Sequence, residues 1–226
     1  MNETPALIIF DCDGTLVDSE GLIVLGLQNA FKTCDVPPPA RNDVRRIIGL
    51  NLHHAVARLL DVSVELPQVE QVADAYRAEF VVLRDEKKMA APLFEGTQAM
   101  LEDLLARQTL MGVATGKSAK GLQSLYTQHD LARFFVTSQT ADFHPSKPHP
   151  SMLETAMAAA GSAAGRSVMI GDTTYDIEMG RHAGMRTIGV SWGNHDGEEL
   201  MDAGADIVIN NWAALTPLLQ QWGLIA

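Results

Sequence analysis

Asp11-Cys12-Asp13-Gly14-Thr15-Leu16-Val17-Asp18-Ser19-Glu20 follows directly on the apolar run Leu7-Ile8-Ile9-Phe10. Four apolar residues in a row fit a buried strand, and the carboxylates that follow stand at its tip. Strand ends of open α/β sheets are where ligands collect, so Asp11 and Asp13 read as chemistry. Residues two apart on an extended backbone point the same way, which lets both flank one phosphate, and Gly14 permits a sharp exit. An isolated Asp-x-Asp also fits an acidic turn; the rest of the chain decides between the two.

Outward from this stretch the rhythm changes twice. From about Glu20 to about Arg84 the periodicity is helical: Leu22, Leu25, Leu27 and Ala30, then Val44, Ile47 and Ile48, then Val56, Leu59 and Leu60, then Val72, Tyr76 and Phe80. Pro37-Pro38-Pro39 breaks this all-α insertion, and Asp85-Glu86-Lys87-Lys88 with Pro92 and Gly96 reads as the return linker. From Gly96 onward strands and helices alternate. Strands are expected at Met111–Ala114, Phe134–Thr137, Val168–Ile170, Thr187–Val190 and Ile207–Ile209, with helices near 97–107, 118–129, 150–160, 174–183, 198–203 and 213–222. This alternation predicts an α/β fold, a doubly wound parallel sheet with a small all-α cap domain. The core would take residues 1–18 and 91–226, the cap 19–90.

Composition bounds the function. At 226 residues and 46% hydrophobic, the chain can form one full core and a smaller satellite. A net charge of −11, from 28 acidic and 17 basic residues, argues against a nucleic-acid partner, because phosphate-backbone affinity comes from Lys and Arg. Two cysteines, Cys12 and Cys34, lack metal-type spacing and suit a reducing cytoplasm. The amino terminus lacks a basic region followed by an apolar stretch, and no run approaches the roughly 18 apolar residues of a membrane span. A cytoplasmic protein with no membrane partner is expected. The sequence carries no signal for oligomeric state.

Three further strand ends carry polar groups. At Gly112-Val113-Ala114-Thr115-Gly116-Lys117-Ser118 a hydroxyl sits where a helix begins, and the unpaired N–H groups there suit a phosphate. A P-loop is rejected because Gly112 and Gly116 enclose three residues where that motif needs four. A plain helix cap by Thr115 or Ser118 is the rival reading. In Ser146-Lys147-Pro148-His149-Pro150 a lysine is held in a proline-stiffened loop; alone it fits a solvated surface charge, and near two carboxylates and a phosphate it would offset negative charge as attack develops. His144 and His149 lack a third ligand and read as structural or surface residues. In Val168-Met169-Ile170-Gly171-Asp172-Thr173-Thr174-Tyr175-Asp176 a buried strand runs into carboxylates, hard oxygen ligands that suit Mg²⁺, although Asp176 alone better fits a helix amino-terminal cap or charge and Asp172 alone is ambiguous.

Together, these four tips resemble the haloacid dehalogenase (HAD) superfamily of phosphohydrolases: nucleophile Asp, Thr/Ser, Lys, then a Gly-Asp-x₃-Asp acidic loop. The resemblance implies that Asp11 is the nucleophile forming an aspartyl-phosphate and that Asp13 is the general acid/base. It implies that Thr115 and Lys147 bind phosphate, with Gly116 beside them and Lys147 also holding Asp11. Mg²⁺ would be held by Asp172, a carboxylate oxygen of Asp11 and the Asp13 carbonyl, with Asp176 nearer to metal waters or Lys147. The insertion resembles the cap of the subfamily containing phosphoglycolate phosphatases, β-phosphoglucomutase and bacterial pyrophosphatases. One departure is Gly116, where many relatives carry Asn.

A Mg²⁺-dependent phosphatase for a small phosphorylated metabolite is therefore expected. A mutase or pyrophosphatase of the same fold uses the same catalytic residues. Asp13 counts against a dehalogenase, and neither Lys32 nor Lys87 and Lys88 is well placed for the Schiff base of a phosphonate hydrolase. An inactive binding protein should have lost a catalytic position, and every position is intact. In the cap, Arg45 and Arg46 flank the apolar stripe Val44, Ile47 and Ile48, where a forked contact with a substrate's second anionic group is expected; a solvated helix face is the rival.

Overall fold

The computed structural model describes residues 4–85 and 91–226, with the side chains of Arg84 and Asp85 left aside. Glu86, Lys87 and Lys88 of the expected linker lie outside the described residues. The insertion comprises α1 (Glu20–Thr33), α2 (Arg41–Arg45), α3 (Leu52–Leu60) and α4 (Pro67–Asp85). The remainder runs β1 (Leu7–Phe10), α5 (Thr97–Ala106), β2 (Leu110–Thr115), α6 (Ala119–His129), β3 (Thr137–Thr140), α7 (Ser151–Ala160) and β4 (Ser167–Gly171), with β1 preceding the insertion. It continues through α8 (Thr174–His182), β5 (Arg186–Val190), α9 (Gly197–Asp202), β6 (Ile207–Ile209) and α10 (Leu215–Gln221).

The six strands form one parallel sheet in the order β3-β2-β1-β4-β5-β6. All four residues of β1 are buried because helices cover both faces. Ile8 and Phe10 join Met111, Val113, Val168 and Ile170 in one core cluster, while Leu7 and Ile9 join Ala114 and Met169 in another, the two-residue alternation of a strand between two layers. The insertion has a core of its own, with Leu27, Phe31, Val44, Val56 and Val72 packed together. Strand order reverses on either side of β1, so the crevice opens at the carboxyl ends of β1, β2 and β4, where Asp11, Thr115 and Asp172 stand.

The third strand is a correction. A strand was expected at Phe134–Thr137, but β3 spans Thr137–Thr140 and Phe134 closes a 3₁₀ turn. Phe134 is apolar because it packs into the core cluster, with Phe135 against it, whereas β3 lies at the sheet edge, pairs only with β2 and can carry Ser138 and Gln139. Among the described residues, no helix is long and apolar enough to cross a membrane.

Candidate active site

Asp11 continues β1 by one residue, its N–H donating to the Ile170 carbonyl at 2.9 Å, and its side chain is 1% exposed. Lys147 Nζ lies 2.8 Å from Asp11 Oδ1 and 2.6 Å from Asp176 Oδ1, with none of the three side chains meaningfully solvated. Asp176 Oδ2 accepts from the Thr173 N–H and hydroxyl at 3.1 and 2.7 Å, closing the first turn of α8. One carboxylate therefore caps a helix and anchors the lysine. Asp172 Oδ1 accepts from the Thr15 hydroxyl at 2.8 Å, and Oδ2 accepts from the backbone and side-chain amides of Asn194, both at 2.8 Å. Gly14, at φ +84°, passes so close that a Cβ there would fall 2.1 Å from Asp172 Oδ2. Only glycine fits both the left-handed turn and that approach.

Asp11, Asp172 and Asp176 each present a carboxylate oxygen within 4.8 Å of the others, all buried. Three such groups beside one ammonium leave negative charge in a low dielectric, and the carboxyls respond. Burial pushes Asp11 up to about 8, against the pull of Lys147 and with the charges of Asp176 and Asp172 adding to the rise. Burial and Asp176 likewise push Asp172 up to about 6, despite its hydrogen bonds from Asn194 and Thr15. Both Asp11 oxygens are buried without a hydrogen bond; Lys147 makes an ion-pair contact with Oδ1. An all-oxygen donor set with excess negative charge and an unsatisfied carboxylate fits a hard divalent cation.

Asp13 faces a second set of partners. Its Oδ1 accepts from the Ser19 hydroxyl at 2.5 Å and lies 2.8 Å from Lys117 Nζ. Burial works against the Lys117 charge, but Asp13 prevails and holds the ammonium above its ordinary range. Thr115, 1% exposed, is not the cap of α6: Ser118 takes that place, accepting from the Gly121 N–H at 3.2 Å. Thr115 Oγ1 instead accepts from the Lys117 N–H at 3.2 Å and faces the cavity shared by Asp11, Asp13, Gly116 and Lys117. The cavity encloses about 700 Å³ between the strand ends and the helical insertion. Gly116 has a steric reason to lack a side chain. A Cβ there would meet the Gly49 and Leu50 carbonyl oxygens at 2.5 and 2.6 Å, so the loop between α2 and α3 rests directly on it.

The structure does not bring Arg45 and Arg46 to this cavity. Arg45 Nη2 donates to the Gly193 carbonyl at 3.1 Å, with Nε 3.8 Å from Glu20; Arg46 Nη1 pairs with Glu199 at 3.1 Å. Val44, Ile47 and Ile48 are buried as expected, but α2 ends at Arg45, and the arginines extend to the sides, clasping insertion to core. His144 is structural, bridging Ser151 and Gln139 at 2.8 and 3.0 Å. Sequence reasoning missed Lys117 and Asn194. Asn194 lies just beyond the tip of β5, and Lys117 two residues past the β2 tip that carries Thr115.

A family model described as haloacid dehalogenase-like hydrolase matches residues 8–190. A Dickeya dadantii protein named probable phosphatase IndB is 35% identical, over 92% of this chain and 90% of its own. A phosphoglycolate phosphatase from Nitrosococcus oceani is 27% identical, with 98% and 99% covered. The crystal structure of a β-phosphoglucomutase from Clostridium difficile shares the fold at 16% identity, with a TM-score of 0.82 and 97% of each chain covered.

Proposed function

Because the chain belongs to the haloacid dehalogenase-like hydrolases, we propose that it is a Mg²⁺-dependent phosphatase. It hydrolyses a small phosphorylated metabolite through an aspartyl-phosphate on Asp11. The observation that carries this reading is Asp11 itself, a carboxylate without hydrogen bonds at the floor of a cavity, with an ammonium 2.8 Å away. On this reading residues 19–90 are a cap over a core of 1–18 and 91–226, and the enzyme works in the cytoplasm without nucleic-acid or membrane partners.

An Asp11 oxygen attacks phosphorus while Thr115 and Lys147 bind the phosphoryl oxygens, and the bond to the ester oxygen breaks. Asp13 gives its proton to the departing alkoxide. It then takes one from a water that attacks the acyl-phosphate, releasing phosphate and restoring Asp11. Ser19 and Lys117 hold Asp13 in place for both transfers. Asp11, Asp172 and the Asp13 carbonyl would hold the Mg²⁺, with Asp176 supporting through Lys147, and the ion would supply positive charge against the phosphate. The insertion shields the site from bulk solvent while leaving room for the one water that hydrolyses the phosphoenzyme.

The test is phosphate release with Mg²⁺ from phosphoglycolate, sugar phosphates and pyrophosphate, by wild type and Asp11→Asn. A variant that still releases phosphate at the wild-type rate overturns the covalent route. Transfer to a sugar hydroxyl in place of water identifies a mutase.

A further inference from the structure

The two sides of the cavity over Asp11 differ in chemistry. The side made by the strand ends is charged, with Asp11, Asp13 and Lys117; the facing wall presents Ile23, Ile48, Leu52, Tyr76 and Phe80. The Tyr76 and Phe80 rings, on successive turns of α4, lie 5.6 Å apart at a 46° tilt. Several polar groups on this wall are paired with neighbours: His53 with Glu70 at 2.8 Å, Arg77 with Glu70 and Asp74 at 3.0 and 2.6 Å, and Asn51 Oδ1 with the His54 N–H at 2.9 Å. Lys117 is paired with Asp13 and sits 5.8 Å from the Phe80 ring centroid. Arg45 and Arg46, the cap cations nearest the loop over Gly116, are held at the clasp. Lys120 is exposed at the cavity rim.

Away from Lys120 at the rim, a second anionic group on a substrate would meet mostly hydrocarbon on this wall, which is unfavourable for a charge. A flat apolar group would instead gain contact with two rings. The cavity's 700 Å³ falls in the range that encloses drug-sized ligands, far more than a two-carbon phosphorylated acid fills. We propose that the substrate is a phosphate monoester bearing an aromatic ring, with the phosphate on Asp11 and the ring against Tyr76 and Phe80. Its turnover rests on the phosphatase reading above; its binding preference does not.

The experiment compares kcat/KM for ethyl phosphate, 2-phenylethyl phosphate, 2-phosphoglycolate and glucose 6-phosphate, all esters of primary alcohols, so that leaving-group chemistry varies little. Calorimetry with 2-phenylethylphosphonate and phosphonoacetate reads binding without turnover. The phenylethyl ester should be preferred over each of the others by about tenfold or more, the scale set by a well-fitted apolar group. Phe80→Ala should cut the phenylethyl-to-ethyl ratio of kcat/KM by about tenfold, and Phe80→Leu by less. A preference for phosphoglycolate or glucose 6-phosphate, or an unchanged ratio in Phe80→Ala, overturns the proposal. Should no ester be hydrolysed, tighter binding of phenylethylphosphonate that Phe80→Ala weakens would sustain the proposal and discard the phosphatase reading. Equal binding of the two phosphonates would discard the proposal.

Discussion

Adding one methyl group at residue 116 tests how the helical insertion meets the core. In Gly116→Ala the new Cβ stands 2.5 Å from the Gly49 oxygen and 2.6 Å from the Leu50 oxygen, both backbone atoms that cannot rotate away. Ordinary van der Waals contact begins near 3.4 Å, so the loop must retreat by about 0.9 Å. Overpacking of this kind costs about 1–3 kcal/mol, a factor of about 5–150 in an equilibrium. Strain kept within the fold would lower Tm by about 2–4 °C per kcal/mol in a chain of this size. The insertion, however, has a separate hydrophobic core, and on the proposed cap reading it withdraws as a unit. Withdrawal places the penalty on the closed arrangement, so kcat/KM for the best substrate should fall by about 5–150-fold while Tm changes by less than about 4 °C. The assay is steady-state phosphate release beside thermal unfolding by circular dichroism. A kcat/KM within twofold of wild type would show that the loop does not bear on residue 116 during turnover. A large Tm loss with unchanged kcat/KM would refute the withdrawal argument.

Asp11→Asn and Asp13→Asn should each lower kcat by at least about 10³-fold while leaving the far-ultraviolet dichroism unchanged, since both are strand-tip groups. Turnover should vanish in chelator and return with Mg²⁺ or Mn²⁺, and Asp172→Ala should weaken Mg²⁺ binding by calorimetry; unchanged affinity removes Asp172 from the ligand set. Lys147→Met leaves buried carboxylates unpaired and should destabilise the metal-free protein by about 3–5 kcal/mol in urea, with part of the loss recovered in saturating Mg²⁺. In metal-free protein the carboxyls of Asp11 and Asp172 stand above their ordinary value of 3.8, at about 8 and about 6. The folded state then binds the extra protons, so the stability they contribute is complete below about pH 4 and is lost as pH rises through 6 and then 8. Mg²⁺ displaces those protons, so its apparent affinity should climb across the same window with proton release; a flat profile counts against the shifts.

Much of this was legible because the chemistry sits at strand ends. An apolar run that stops at a polar side chain is visible in one dimension, and Asp11, Thr115 and Asp172 each stand at such a stop. What failed was information held by neighbours. Phe134 looked like strand because it is apolar, yet its partners are core side chains, not a sheet edge. Arg45 and Arg46 looked like substrate ligands because they flank a buried stripe, but their direction depends on Glu20, Gly193 and Glu199, two of which are more than 140 residues distant. Gly116 stands out in the sequence only as a departure from Asn, whereas its reason is two carbonyls from another part of the chain, those of Gly49 and Leu50.

The Arg45 clasp has a thermodynamic consequence. Arg45 grips the carbonyl of Gly193, and the next residue, Asn194, supplies two of the three hydrogen bonds that hold Asp172. The contact of the helical insertion with the core and the posture of that carboxylate therefore share one short piece of backbone. By linkage, any free energy with which a cation at Asp172 favours the clasped arrangement must return, undiminished, as tighter cation retention when the helices are down. An open molecule would load and release its ion more readily than a closed one, and a full cavity would guard the ion beneath it.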